Sequence, residues 1–163
     1  CHLDQTLDWT QQQLAKRYGH EPLPLSAEQR STSAALLWLL KGHAAQRAIA
    51  AWHAGWQPAR DTSGDGWLAP HLARLLEDPY GVVRHIANES LKKQPGFGTF
   101  EFDFIAPKPE RARLAKRAIA QWNDLPGDAT GDAVLIDPDR QLMETAIQAL
   151  LKNRDDRPVS IKE

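Results

Sequence analysis

The sequence predicts an all-α protein: a short HEAT-like α-solenoid of antiparallel helix pairs, with capping helices and one short extended segment. Three observations lead there. Apolar residues recur at three- and four-residue spacing along most of the chain, glycines and prolines punctuate these stretches, and one helix-pair pattern returns after roughly 35 to 40 residues.

Residues 1–25 read as an N-terminal helix and linker. Leu3, Leu7 and Leu14, with Trp9 to one side, keep helical spacing until Gly19, and Pro22 and Pro24 break the pattern. Residues 26–96 read as two HEAT-like helix pairs. Ser26 followed by Glu28 and Gln29 is an N-cap signature, and the run 34–40 that follows is apolar on nearly every face until Gly42 stops it. Such a helix must be covered on several sides. Residues 44–56 carry Ala48, Ile49, Trp52, Gly55 and Trp56 at three- or four-residue intervals, and residues 57–66 read as a polar loop. Residues 67–77 place Leu68, Leu72, Leu75 and Leu76 on one stripe. Asp78 and Pro79 turn the chain, residues 82–93 carry Val83, Ile86, Ala87 and Leu91, and Pro95-Gly96 closes the pair.

The two pairs resemble each other: residues 39–50 align with residues 75–87 when one residue is inserted in the turn. The second unit has the HEAT pattern itself, Leu-Leu-x-Asp-Pro and then Val-Arg-x-x-Ala. Arg84 and Arg47 are therefore expected on the seam between repeats, bridging to carbonyls or an acidic neighbour, and Asp78 and Pro79 at the turn are expected to be structural as well. Two repeats are fewer than a solenoid usually needs, so the flanking helices should cap the stack.

Residues 97–163 supply an extended segment, helices and a tail. Phe97, Phe100, Phe102 and Phe104 are spaced around Glu101 and Asp103 as an extended or short-strand segment with one aromatic face. Pro107 and Pro109 start a helix with Leu114, Ile119 and Trp122 inward and Arg111, Arg113, Lys116 and Arg117 wet. Residues 123–130 read as a loop, and a last helix is expected from Pro138 to about Lys152, using Leu142, Met143, Ala146, Leu150 and Leu151. The charged tail from Arg154 to Val159 should lie on the surface or mark a boundary.

Composition narrows the function. A chain of 163 residues with 42% hydrophobic and 25% charged residues can form one globular domain with a core. Lys plus Arg number 20 against 21 Asp plus Glu, and a net charge of -1 gives no general attraction for nucleic acid or an anionic membrane. The apolar run 34–40 is far short of the roughly 20 residues that cross a bilayer, so no membrane span is expected. Cys1 is the only cysteine, which excludes an internal disulfide and a cysteine-based zinc site within one chain.

No complete catalytic constellation stands out. Residues 61–66 match four positions of a calcium loop, but Ala69 and Leu72 occupy positions nine and twelve, where the latter requires a bidentate Glu. An Asx-type turn leading into the Trp67 helix is the plainer expectation. His2, His20, His43, His53, His71 and His85 include no helical ligand pair, and each is expected to be a surface or partly packed imidazole. Trp38, Trp52, Trp56 and Trp67 have the spacing of core residues, although such a cluster can also line a pocket. Paired carboxylates occur only in loops and tails, where solvation is the ordinary outcome.

Cys1-His2 and the eight residues after it, the blocks 34–56 and 67–97, and the closing Arg154-Asp155-Asp156-Arg157-Pro158-Val159 together resemble bacterial multihaem c-type cytochrome proteins. In that family, haem modules of the cytochrome c-554 and nitrite-reductase type are followed by HEAT repeats, sometimes with tetratricopeptide repeats beyond. The resemblance implies that Cys1 is the second cysteine of a C-x-x-C-H haem-attachment motif and His2 its iron ligand. It implies haem c and a periplasmic or secreted location in the full-length protein, with no cofactor on this chain alone. The expected function is a non-catalytic scaffold that docks the upstream haem domain or a protein partner. The alternatives are a c-type haem electron-transfer protein using Cys1 and His2, an independent enzyme with Cys1 as nucleophile, and a lipoprotein acylated at Cys1.

Overall fold

Short polar side chains set where several helices begin. Thr6, Ser26 and Ser33 accept hydrogen bonds from the backbone N–H groups of Trp9, Gln29 and Leu36, and the His43 imidazole does the same for Gln46. Gln29 and Gln46 return bonds to the cap backbones, completing two capping boxes. In the computed structural model, which describes residues 1–158, these caps belong to an all-helical chain with no strand among the described residues. Its helices are α1 (Leu7–Tyr18), α2 (Ala27–Ser31), α3 (Ala34–Lys41), α4 (Ala44–Ala54), α5 (Gln57–Ser63), α6 (Leu68–Leu75), α7 (Gly81–Leu91), α8 (Lys108–Asp124) and α9 (Glu144–Lys152), with a 3-10 turn at Asp132–Val134.

The core forms where α3 packs on α4, α6 on α7, α4 along α7, and α3 on α6. Leu36, Leu39, Leu40, Leu72, Leu75, Val83 and Leu91 are fully buried between these helices, and α8 and α9 cover α6 and α3 with Leu114, Trp122, Ile147 and Leu150. Each fully buried aliphatic side chain contributes about 2 kcal/mol, so this cluster, not helix propensity, holds the short helices in place. The side of α4 toward α7 is built from Ala44, Ala50, Ala51 and Ala54. The contact is close enough that a Cβ on Gly55 would stand 2.5 Å from the Ser90 hydroxyl oxygen.

Several sequence expectations are corrected. The single helix expected after Ser26 is two, because Ser33 caps α3 while its N–H donates to Ala133 and the Ala34 N–H donates to Gln5. Residues 57–63 are helical rather than a polar loop, with Pro58 in the first turn, where its missing N–H costs nothing. The calcium-like stretch is therefore no Asx-type turn: Asp61 accepts from Gln57, and Asp65 pairs with Arg60 at 3.2 Å. Residues 97–104 form no strand: a turn at 98–99 is followed by an irregular stretch over 100–103; Phe97 and Phe100 are buried, whereas Phe104 is exposed. The last helix begins at Glu144, since Asp137 accepts from the Gln141 N–H and Arg140 takes a left-handed backbone at φ 60°.

The polar core is concentrated at the interhelix turns. Arg47 is fully buried and donates from Nε and Nη2 to the Asp78 carboxylate, at 2.7 and 3.2 Å. Its Nη1 donates to the carbonyls of Gly42 and Asp155, at 2.6 and 3.0 Å. Arg84 donates to the carbonyls of Asp78, Pro79 and Phe104, which staples the aromatic turns onto α7. The charged tail is thus partly built in rather than simply on the surface: the Asp155 N–H also donates to Lys41, and Arg154 reaches within 4.0 Å of Asp78. Val159 lies outside the described residues.

His71 departs from the expected partly packed imidazole. It is fully buried on α6, and its Nε2–H donates to the Val134 carbonyl at 2.9 Å. Burial lowers its pKa from 6.5 to about 4, against the opposing pull of that carbonyl and with a smaller lowering from Arg74.

Three tests follow from this packing. Removing either partner of the buried pair, as in Arg47→Met or Asp78→Leu, should cost about 3–5 kcal/mol in urea unfolding, and the double substitution should recover much of the loss. Arg84→Ala should lower the melting temperature through a loss of about 1–3 kcal/mol; an unchanged melting point would put the guanidinium in solvent. The unfolded chain protonates His71 near pH 6.5 and the folded chain only near pH 4. The associated stability is therefore fully present above about pH 6.5 and lost as pH falls toward 4, a change on the order of 3 kcal/mol. Urea titrations should show that slope in the wild type and a flatter one in His71→Leu.

Candidate functional site

The N-terminal segment is laid against the start of α3. An antiparallel bridge between Thr6 and Ser33 and the Ala34-to-Gln5 hydrogen bond fix its course, and the Gln5 N–H donates to the His2 carbonyl. Cys1 and His2 are exposed, and the His2 ring lies 4.8 Å from the Trp9 ring, centroid to centroid. His2 and Leu3 thereby form one margin of an apolar groove of about 210 Å³, completed by Ala34, Ala35 and Trp38 from α3 and Ile49, Ala50 and His53 from α4.

The surface beside the groove is aromatic. Trp38, Trp52 and Trp56 are 43, 53 and 39% exposed, and only Trp67 of the four tryptophans is buried, so the expectation that they pack in the core is corrected. For Trp52 and Trp56 the reason lies in α4, whose alanines and Arg47 face the rest of the protein. This leaves Ala45, Ile49, Trp52 and, just past its end, Trp56 exposed, without one charged side chain. Trp52 and Trp56 stack at 6.2 Å, and both set their rings nearly perpendicular to His53.

The His53 Nδ1 stands 2.9 Å from the Ile49 carbonyl oxygen, which only accepts, so the bond requires the hydrogen on Nδ1. Of the residues singled out in the sequence, the structure brings His2 to the groove and keeps Arg47, Arg84, Asp78 and Pro79 at the interhelix turns, away from it. His53, expected as a surface or partly packed imidazole, and Trp38, expected in the core, line that groove as well. For Trp52 and Trp56 the signal was in α4 itself, since positions 45, 49, 52 and 56 fall on one helical face and the alanines at 44, 51 and 54 on another.

The groove offers apolar contact and two imidazoles. Among the described residues, no three His, Cys, Asp or Glu side chains gather in a metal-holding group, and no helix is long and apolar enough to cross a membrane. The chain matches no protein-family model, no curated protein and no solved structure.

If the aromatic face is free of core packing, Ile49→Gln with Trp52→Gln should change the unfolding free energy by no more than about 0.5 kcal/mol per site. The same substitutions should reduce binding of an apolar dye such as ANS. A loss above about 2 kcal/mol would return these side chains to the core.

Proposed function

We propose that this chain is a non-catalytic scaffold and protein-interaction domain of a multihaem cytochrome-like electron-transfer protein. Its helices form two HEAT-like antiparallel pairs, α3 with α4 and α6 with α7, in a short solenoid closed by the flanking helices. The chain docks the haem domain that precedes it in the full-length protein, in the periplasm or outside the cell.

One observation carries this reading: an uncharged aromatic face lies beside the groove that His2 lines. Contiguous apolar surface of this kind marks an interaction site, and α4 turns that face away from its own core.

The residues present fit a haem in part. Cys1 supplies one thiol where a C-x-x-C-H motif uses two, and the exposed His2 imidazole beside apolar walls suits an iron ligand shielded from water on one side. Haem, when bound, supplies one-electron transfer. His2 would be the residue of this chain that holds the iron, with the apolar side chains of Leu3, Trp38 and Ile49 beside it. A second reading, in which the chain is itself a haem-binding electron-transfer protein using Cys1 and His2, is favoured by the place of His2 on the groove.

Expression with periplasmic haem-attachment machinery tests both parts. The 163-residue chain should be colourless as purified, and a longer chain supplying the first cysteine of the motif should gain a Soret band and a pyridine-haemochrome signal. Trp52→Glu in the longer chain should leave haem attached but separate the modules, seen as a larger radius of gyration in solution scattering. A colourless longer chain removes the haem role from Cys1 and His2; unchanged scattering removes the docking role from the aromatic face.

A further inference from the structure

We propose that the cavity bounded by α1, α2, the α3–α4 turn and the chain just beyond α9 is a binding site for a neutral monosaccharide. It shares Ala34 and Trp38 with the groove of His2 but neither of that groove's histidines, and the inference stands apart from the haem and docking readings.

The cavity measures about 340 Å³, inside the roughly 300–1,000 Å³ range of small-molecule sites. Leu7, Ala34 and Leu37 give it an apolar wall, and Trp38, 43% exposed, gives it an aromatic one suited to the C–H face of a sugar ring. Its polar side chains are set by bonds whose direction is fixed. The backbone N–H groups of Ser26 and His43 can only donate, so Gln29 and Gln46 meet them with Oε1, at 2.9 and 3.1 Å. Both Nε2 amino groups are left without a partner among the described residues. The Gln46 N–H donates to His43 Nδ1, a bond that requires the lone pair there and leaves the ring's Nε2–H to donate. Asn153 gives its Nδ2 to the Ala149 carbonyl, and its Oδ1 remains an acceptor. The cavity therefore sets amide and imidazole donors beside carboxamide and carboxylate acceptors. A ring of hydroxyls needs that mixture, because each hydroxyl both donates and accepts.

The charges decide between a neutral sugar and an anion. Lys41, the one ammonium of the lining, is already paired with Glu28. Hydrogen bonds from Arg157 hold the Asp155 carboxyl down at about 2, with a last, smaller lowering from His43, so Asp155 is ionised at neutral pH and repels an anion. The wall that carries Asp155 is also fixed in advance. Its carbonyl and that of Gly42 accept from the same Nη1 of the buried Arg47, and its N–H donates to the Lys41 carbonyl. Groups held in place this way lose little entropy when a ligand arrives.

The test follows the 163-residue chain by NMR of its amide and indole groups. D-glucose, D-galactose, D-mannose and N-acetyl-D-glucosamine are each added to millimolar concentration, with D-glucuronate and inorganic phosphate as anionic probes. At least one neutral sugar should bind saturably and shift the Trp38 indole and the Gln29 and Gln46 side-chain amides. Gln29→Glu and Gln46→Glu keep an oxygen for each capping box and replace the cavity's N–H donors by an acceptor, so both should fold and bind that sugar about tenfold more weakly. Trp38→Ala, which leaves the caps untouched, should weaken it as well. Lys116→Ala, exposed on α8, should bind as wild type, and circular dichroism on every variant checks that the helices remain. The proposal is overturned if none of the neutral sugars binds, if only glucuronate or phosphate does, or if Gln46→Glu or Trp38→Ala binds the sugar as tightly as wild type.

Discussion

A guanidinium with no access to water must have its N–H groups met by protein, and the fold is arranged around meeting those of Arg47. Its partners come from three distant stretches: Gly42 at the end of α3, Asp78 between α6 and α7, and Asp155 beyond α9. Taking the pair out of water carries a desolvation cost that a single ion pair seldom recovers. The bidentate geometry and the two carbonyls offset it. The position of each turn is therefore coupled to that of the others. Asp78 serves twice, accepting from Arg47 and from the Tyr80 N–H, while its own carbonyl accepts from Arg84. Arg84 in turn fixes Phe104, so one chain of bonds runs from the end of α3 to the aromatic turns before α8.

This coupling explains the two unlike sides of α4. Arg47 points inward from the first half of the helix, and the alanines around it let α4 approach α7 closely. Bulky side chains have no room there and are displaced to the opposite face. Ile49, Trp52 and Trp56 stay in contact with water as a consequence of where Arg47 must go, and the groove between α3, α4 and the N-terminal segment sits at their edge.

Much of the helical layout was legible because glycines, prolines and caps are local signals. Ser26, Gly19 and Pro107 mark helix ends in the sequence and in the structure. The resemblance between residues 39–50 and 75–87 pointed to Arg47 and Arg84 as seam residues, and both meet carbonyls or a carboxylate across helix turns. What was not legible depends on contacts between distant residues. The break at Thr32 and Ser33 is made by backbone pairing to Ala133 and Gln5, and the burial of His71 by the carbonyl of Val134. Tryptophan spacing cannot tell an inward helical stripe from an outward one; only the alanines on the other face of α4 resolve that. The phenylalanine series misled because spacing in twos and threes fits a strand and a set of turns alike, and the proline and glycine before it favoured turns. His2 and His53 share a groove only through the folded path of the N-terminal segment, which no local motif encodes.

The bond from Arg47 to Asp155 spans 108 positions. During synthesis, the helices that surround this guanidinium emerge from the ribosome well before the carbonyl that completes its set of acceptors. At about 5–20 residues per second, the interval is several seconds. Until Asp78 and then Asp155 have emerged, the guanidinium lacks first the carboxylate and then one carbonyl of its set, and water takes their place. Translation order therefore makes closure of the interior a late event, and stalling between α9 and Asp155 would leave a nearly complete helical array with its central cation still hydrated.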